Sequence, residues 1–185
     1  MPVPSTLLSA VPSLPTNILR SPALSILLPI TCGTLIGYTT NKLSNTKNIY
    51  KTLRQPPFNP PAWLFGPVWT ILYGMMGYSS YLLSLKTPIP SKYSAIYSLN
   101  LALNFLWMPL FFGLKRPAAA LVDMGLLTAV TGVMVKWWGE VDEKAGWMLW
   151  PYLGWLGYAG YINAGVGMLN GWDIKGTLKR AEKKE

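Results

Sequence analysis

The chain has 185 residues, 51% of them hydrophobic and only 12% charged, with 16 lysines and arginines against 7 acidic residues and a net charge of +9. A soluble domain carries about 25% charged residues, so this composition reads as an all-α integral membrane protein with no room for a separate soluble domain. Histidine is absent and Cys32 is the sole cysteine. That removes an intrachain disulfide, a His/Cys zinc site, Ser-His-Asp or Cys-His catalysis and haem on a proximal histidine. No metal and no cofactor is expected.

Residues 1–22 are rich in proline and serine, lack a basic stretch ahead of an apolar one, and read as a flexible leader rather than a cleaved signal. Five apolar segments follow, at about 23–40, 63–85, 94–112, 118–138 and 146–169. Each approaches the roughly 20 residues a helix needs to span a bilayer. Backbone polar groups must be satisfied internally in lipid, and period-2 alternation is missing, so the segments are read as helices of one bundle spanning residues 23–170. Residues 171–185 read as a basic tail.

The first segment contains Gly33 and Gly37 in a GxxxG arrangement, which lets backbones approach closely. Packing inside one bundle and a homodimer through Gly33 and Gly37 both fit that pattern. The connection to the second segment is the most unusual stretch of the chain. From Arg54 to Tyr73 it holds five prolines, including Pro56, Pro57, Pro60 and Pro61, together with Trp63, Trp69 and Tyr73. Proline lacks a backbone donor and fixes φ, so this stretch reads as a stiff loop that turns abruptly into an apolar helix. Short sterol-type patterns precede it, Leu35-Tyr38-Lys42 and Lys47-Tyr50-Leu53, and such patterns arise readily by chance.

Helical spacing puts Trp69, Tyr73, Met76 and Ser80 on one face of the second segment, and Trp155, Ala159, Ile162 and Val166 on one face of the fifth. Such stripes fit plain core packing. They also fit a slot lined by indole rings, because a buried tryptophan N–H needs a partner and the fifth segment is rich in glycine, at Gly154, Gly157, Gly160, Gly165 and Gly167. Asn100, Asn104 and Asn163 are expected to face the bundle interior and pair with one another, and Asp123 falls early in the fourth segment. The lysines and arginines divide unevenly. Five belong to the leader and the second and fourth loops, whereas eleven belong to the first and third loops and the tail. The positive-inside rule then places the first loop and the tail in the cytosol. The basic residues sit at membrane ends, so they suit lipid headgroups and not nucleic acid.

Four blocks carry a resemblance. They are Pro56-Pro57-Phe58-Asn59-Pro60-Pro61 with Gly66-Pro67-Val68-Trp69-Thr70; Leu72-Tyr73 with Met76-Gly77-Tyr78 and Tyr81-Leu82; Leu101-Ala102-Leu103-Asn104 with Trp107, Pro109 and Phe111-Phe112-Gly113; and Pro151-Tyr152-Leu153-Gly154-Trp155 with Asn163. In order and spacing the chain resembles the translocator protein family, also called tryptophan-rich sensory proteins. The resemblance implies a bundle of five transmembrane helices, often dimeric, that binds porphyrins, sterols and synthetic aromatic ligands. The proline loop would be the lid. Trp69, Asn104, Trp107, Trp155, Ala159 and Ile162 would line or flank the cavity, with Leu64, Phe65 and Gly66 at its rim. It implies the mitochondrial outer membrane, with a secretory-pathway membrane as the alternative.

The chain departs from animal members where those carry a sterol-associated tyrosine and arginine. Here these positions read Ala164, Gly165 and Met168, and a pocket tryptophan is replaced by Ala119. A carrier, sensor or scavenger of tetrapyrroles or sterols is the expected role. The alternative is a light- or oxygen-dependent breakdown of porphyrin using Trp69 and Trp155 as redox-capable side chains, and a purely structural scaffold is a third reading.

Overall fold

A computed structural model describes residues 14–88 and 91–182. The described residues are helical or irregular, with no strand among them. Most of the expected leader lies outside the described residues, but its end is not loose. Thr16–Leu19 forms a single turn, α1, and Leu19 is buried. The Leu19 carbonyl accepts hydrogen bonds from the Ser25 and Ser84 hydroxyls, both at 2.9 Å, which pins this turn to the bundle.

Helix α2 runs over Pro22–Ser44, with Pro22 at its first turn and Ser21 capping it by accepting from the Leu24 N–H. It stops at Asn45, which adopts left-handed geometry (φ 49°). The first loop then contains an unexpected short helix, α3 (Thr46–Thr52). Only residues 53–61 are irregular, before a 3₁₀ turn at Ala62–Leu64 leads into α4 (Phe65–Ser84). Helix α5 (Lys92–Met108) starts with a reciprocal Ser91/Ser94 capping box. At Pro109, which has no N–H to give, the next turn widens into a π-type turn over Pro109–Gly113.

Helix α6 covers Pro117–Val141, and Asp142 caps the short α7 (Glu143–Trp147) by accepting from the Ala145 N–H at 2.9 Å. Helix α8 is Trp150–Leu169, with Pro151 in its first turn. The fifth expected segment is therefore broken at residues 148–149. The basic tail is also not a free tail: residues Ile174–Glu182 form α9, whose Ile174 is fully buried.

Among the described residues five helices reach seventeen residues or more: α2, α4, α5, α6 and α8. Three of them are both long and apolar enough to cross a membrane, namely α2, α5 with its π-type turn, and α6. Helices α4 and α8 are 20 residues each, but their tyrosines, tryptophans, serines and glycines lower their apolarity.

Small residues set the closest approaches. Any Cβ on Gly77 of α4 would lie 2.7 Å from the Ile26 Cα of α2, and one on Gly146 would lie 2.6 Å from the Gly139 Cα. Helix α4 packs along α2, α5 along α6, and α6 along α8, whereas α4 and α8 approach each other little. The main core gathers Leu72, Met76, Tyr97, Leu127, Trp138 and Leu156. A second cluster, of Ile49, Leu53, Phe111, Phe112, Ile162 and Ile174, closes the loop end of the bundle.

The two sets of basic residues occupy opposite ends. At one end the Lys86 ammonium pairs with Asp142 at 2.6 Å, and Lys92 lies 4.8 Å from the Trp137 ring centroid. At the other end α3, the loop and α9 come together, bringing Arg54 and Arg180 onto one groove.

Candidate functional site

Because α4 and α8 stand apart, aromatic rings fill the space between them. Phe65 of α4 meets Trp155 of α8 edge-on at 6.0 Å, and one turn deeper Trp69 meets Tyr152 at 6.1 Å. Trp69 also lies 5.4 Å from Tyr73, and Trp155 lies 5.5 Å from Tyr158. The spacing explains the pairing: Phe65, Trp69 and Tyr73 follow i, i+4, i+8 on α4, and Tyr152, Trp155 and Tyr158 follow i, i+3, i+6 on α8. The Trp155 indole N–H is buried with no hydrogen-bond partner. An unmatched buried donor costs about 1–3 kcal/mol, and here it sits at the ring-lined gap.

Below the rings a string of polar side chains fixes their orientation. The Tyr73 hydroxyl donates to Asn104 Oδ1 at 2.6 Å, and Asn104 Nδ2 donates to the Tyr152 hydroxyl at 2.8 Å. The Tyr152 hydroxyl in turn reaches Asn100 Oδ1 at 3.4 Å, and Asn100 Nδ2 donates to Thr131 Oγ1 at 2.8 Å. These bonds tie α4, α5, α6 and α8 together, so the rings stand on a braced floor. Trp107 is held differently: its indole N–H donates to Asn163 Oδ1 at 2.9 Å, while Asn163 Nδ2 donates to the Pro117 carbonyl at 2.9 Å. All three asparagines are therefore paired, not with one another as expected but with tyrosine, threonine, tryptophan and backbone partners. Asp123 is 4% exposed and both its carboxylate oxygens lack a partner.

The loop above is clamped rather than free. Asn170 at the end of α8 accepts from the Arg54 N–H at 3.1 Å and donates to the Arg54 carbonyl at 2.9 Å, an amide pairing with loop backbone. The Tyr158 and Tyr161 hydroxyls donate to the Phe58 and Pro57 carbonyls at 2.6 and 2.9 Å. From the other side the Tyr50 hydroxyl donates to the Pro60 carbonyl at 2.7 Å. Burial pushes the Tyr50 hydroxyl above its ordinary range, so it remains a neutral donor. The tyrosine of one sterol-type pattern is thus a brace for the loop. Gly165 gives the loop its seat: a Cβ there would lie 2.6 Å from Pro56 Cβ.

The expected site residues separate into groups. Phe65, Trp69, Trp155 and Asn104 meet at the α4–α8 gap, with Ala159 beside them against the main core. Trp107 touches both clusters, whereas Ile162 lies one step further on in the second. Leu64 closes the 3₁₀ turn, and Gly66 is exposed with open space around it. Pro56 and Pro60 are buried, while Pro57 and Pro61 are exposed. Gly33 and Gly37 both face neighbours in their own chain: a Cβ on Gly33 would fall 2.7 Å from Tyr73 Cζ, and one on Gly37 would lie 3.9 Å from Met108 Sδ. Gly33 therefore makes a close contact within its own chain, against the Tyr73 ring.

Tyr152, Tyr158, Tyr161, Tyr50 and Asn170 were not among the expected site residues. The tyrosines of α8 had a signal in the sequence, since Tyr158 and Tyr161 continue the Trp155 face at steps of three. Asn170 had none, because its partner lies 116 residues away.

A family model described as the TspO/MBR family matches residues 25–169. The chain is 45% identical to a translocator protein homolog of Schizosaccharomyces pombe over 150 residues, covering 78% of this chain and 88% of that protein. It is 38% identical to the tryptophan-rich protein TspO of Archaeoglobus fulgidus, covering 83% of this chain and 99% of that protein. It is 37% identical to the human translocator protein, covering 66% and 76%.

Proposed function

This chain belongs to the TspO/MBR family, and on that premise we propose that it spans the membrane with α2, α4, α5, α6 and α8 and binds a flat hydrophobic ligand between α4 and α8. The ligand class is a tetrapyrrole, with sterols as weaker candidates, and the role is that of a carrier, sensor or scavenger. The observation that carries the reading is the Trp155 indole N–H, buried without an acceptor beside rings that hold α4 and α8 apart. A porphyrin offers a broad π-face for Trp69 and Trp155 and carboxylate oxygens for a stranded N–H. The clamped proline loop covers that gap and excludes water from it.

Sterol recognition is the weaker fit because of the end of α8. The Gly165 position is filled by the Pro56 ring, and Met168 is an exposed apolar side chain where a cation would be needed. The preponderance of basic residues at the loop end supports a cytosolic orientation for the loop and α9. We assign the protein to the outer mitochondrial membrane. Protease treatment of intact mitochondria tests both points: cleavage at the loop end is expected, and recovery of the protein in the secretory fraction would reject the assignment.

The binding test is a titration of protoporphyrin and of cholesterol into detergent-solubilised protein, read by tryptophan quenching. Replacing Trp155 or Trp69 by phenylalanine keeps a ring but removes the indole. Each is expected to weaken protoporphyrin binding by about 2- to 10-fold, the range of one aromatic pair. Affinity unchanged in both variants would reject the site.

A further inference from the structure

At the loop end of the bundle, away from the ring-lined gap, lies an open groove of about 600 Å³. Arg54, Leu169, Asn170, Gly171, Thr177, Arg180 and Ala181 form it. Among the described residues no acidic side chain lines it. The nearby Asp173 carboxylate is engaged at the start of α9, where its Oδ1 accepts from the Gly176 N–H at 2.9 Å.

The two arginines come from distant parts of the chain and are both held in place. Arg54 is positioned through its backbone by Asn170, which leaves its guanidinium exposed. Arg180 rides on α9, which is anchored by buried Ile174 and half-buried Leu178 against Ile49 and Leu53, and its Nη2 donates to Thr177 Oγ1 at 3.3 Å. Lys51 and Lys179 lie on the two flanking helices. Two arginines lining one concave surface supply the kind of donors that suit a phosphate group, which takes parallel N–H donors.

The rest of the groove tells a lipid phosphate from a soluble one. On the last turn of α8, Met168 is 70% exposed and Leu169 is 45% exposed. The Trp172 ring lies over Gly167 at the same level, where a tryptophan marks the membrane–water boundary. A phosphate held by Arg54 and Arg180 would thus have an apolar flank directly beneath it. We propose that this groove is a binding site for the phosphate headgroup of an anionic membrane lipid, its acyl chains running down past Leu169 and Met168.

The test uses the full chain in detergent micelles and native mass spectrometry with added phosphatidylglycerol or phosphatidylcholine. The wild-type chain is expected to retain phosphatidylglycerol in preference to phosphatidylcholine. The double variant Arg54→Gln/Arg180→Gln should weaken that adduct about 30-fold, as two interfacial cations at about 1 kcal/mol each imply. Both side chains are exposed and the Asn170 clamp uses only backbone at residue 54, so an unchanged melting temperature is expected of this variant. Lysine at both positions restores charge without the planar fork and should recover part of the affinity.

The control is Lys136→Gln/Lys144→Gln at the opposite end. An equal loss in that control would mean diffuse charge attraction and overturn the site, as would no loss in the arginine variant. Inorganic phosphate at the lipid's concentration is expected to leave the adduct in place. Displacement of the lipid by phosphate would assign the groove to a soluble anion and overturn the lipid reading.

Discussion

Helix α4 has two unlike neighbours. Toward α2 it presents Gly77, whose missing side chain lets the two backbones nearly touch, and Tyr73, whose ring lies on Gly33. Toward α8 it presents Phe65 and Trp69, whose rings hold the partner helix off. One seam is closed by what the residues lack, the other is kept open by what they carry. The close seam leaves no volume to rearrange, so it serves as a rigid wall. The ring-filled seam is joined by edge-on contacts of about 0.5–1.5 kcal/mol each, small enough for a competing flat molecule to replace.

Gly77→Val is the strongest way to break this contrast. Its Cβ would press on the Ser25 carbonyl and the Ile26 backbone, and backbone cannot step aside as a flexible side chain can. We expect a loss of about 3 kcal/mol, at the upper end for an overpacked core, seen as a lower melting temperature in detergent and a poor folded yield. Gly74 on the same helix has open space around it, so Gly74→Ala should be neutral or gain about 0.5 kcal/mol. Equal effects from the two substitutions would show that the close seam is not what holds α4.

The next test bears on the open seam, whose cover depends on Asn170. Removing that amide in Asn170→Ala strands the Arg54 N–H and carbonyl while leaving the rings untouched. A local cost of about 2 kcal/mol follows from losing the pair. Since the loop is a satellite of the bundle, the cost should appear as local opening rather than global unfolding. Tryptic cleavage after Arg54 is expected to rise by about 30-fold with little change in melting temperature. A cleavage rate equal to that of the wild type would mean that Tyr158, Tyr161 and Tyr50 suffice to hold the loop.

The two seams were not equally legible in the sequence. The long helices follow from the apolar runs that lipid demands, and the Trp69–Tyr73 face follows from four-residue spacing alone. Gly33 and Gly37 announced a close contact but not its partner, since a GxxxG pattern reads the same against Tyr73 of its own chain as against a second copy. Helices α3 and α9 escaped notice because both are short and lysine-bearing. Yet Ile174 and Leu178, four apart and each followed by a lysine, are the mark of an amphipathic turn seeking an apolar surface. The break before α8 had its own sign in Pro151. The loop clamp had only half a sign: Tyr158 and Tyr161 continue the Trp155 face, but the carbonyls they reach lie 100 and 104 residues away, and such bonds impose no local pattern.

The smallest effect belongs to the end of the bundle that serves neither seam. The hydrogen bond from the Lys86 ammonium, aided by the Ala145 N–H, holds the Asp142 carboxyl below its ordinary range. A carboxyl depressed in the folded state adds stability at pH values above its unfolded pKa of about 3.9, and that contribution disappears as pH falls through the lower, folded value. Lys86 is exposed, so the pair is worth less than about 1 kcal/mol. In Asp142→Asn the α7 cap survives, because asparagine caps as well as aspartate, and only the charge is lost. The wild type should therefore melt slightly above the variant at neutral pH, with the two curves converging as the solution is acidified toward roughly pH 3. A difference that persists in acid would place the effect in the cap and not in the ion pair. Protoporphyrin affinity and loop cleavage should be the same in both proteins, because neither Asp142 nor Lys86 touches the rings or the loop they lie beneath.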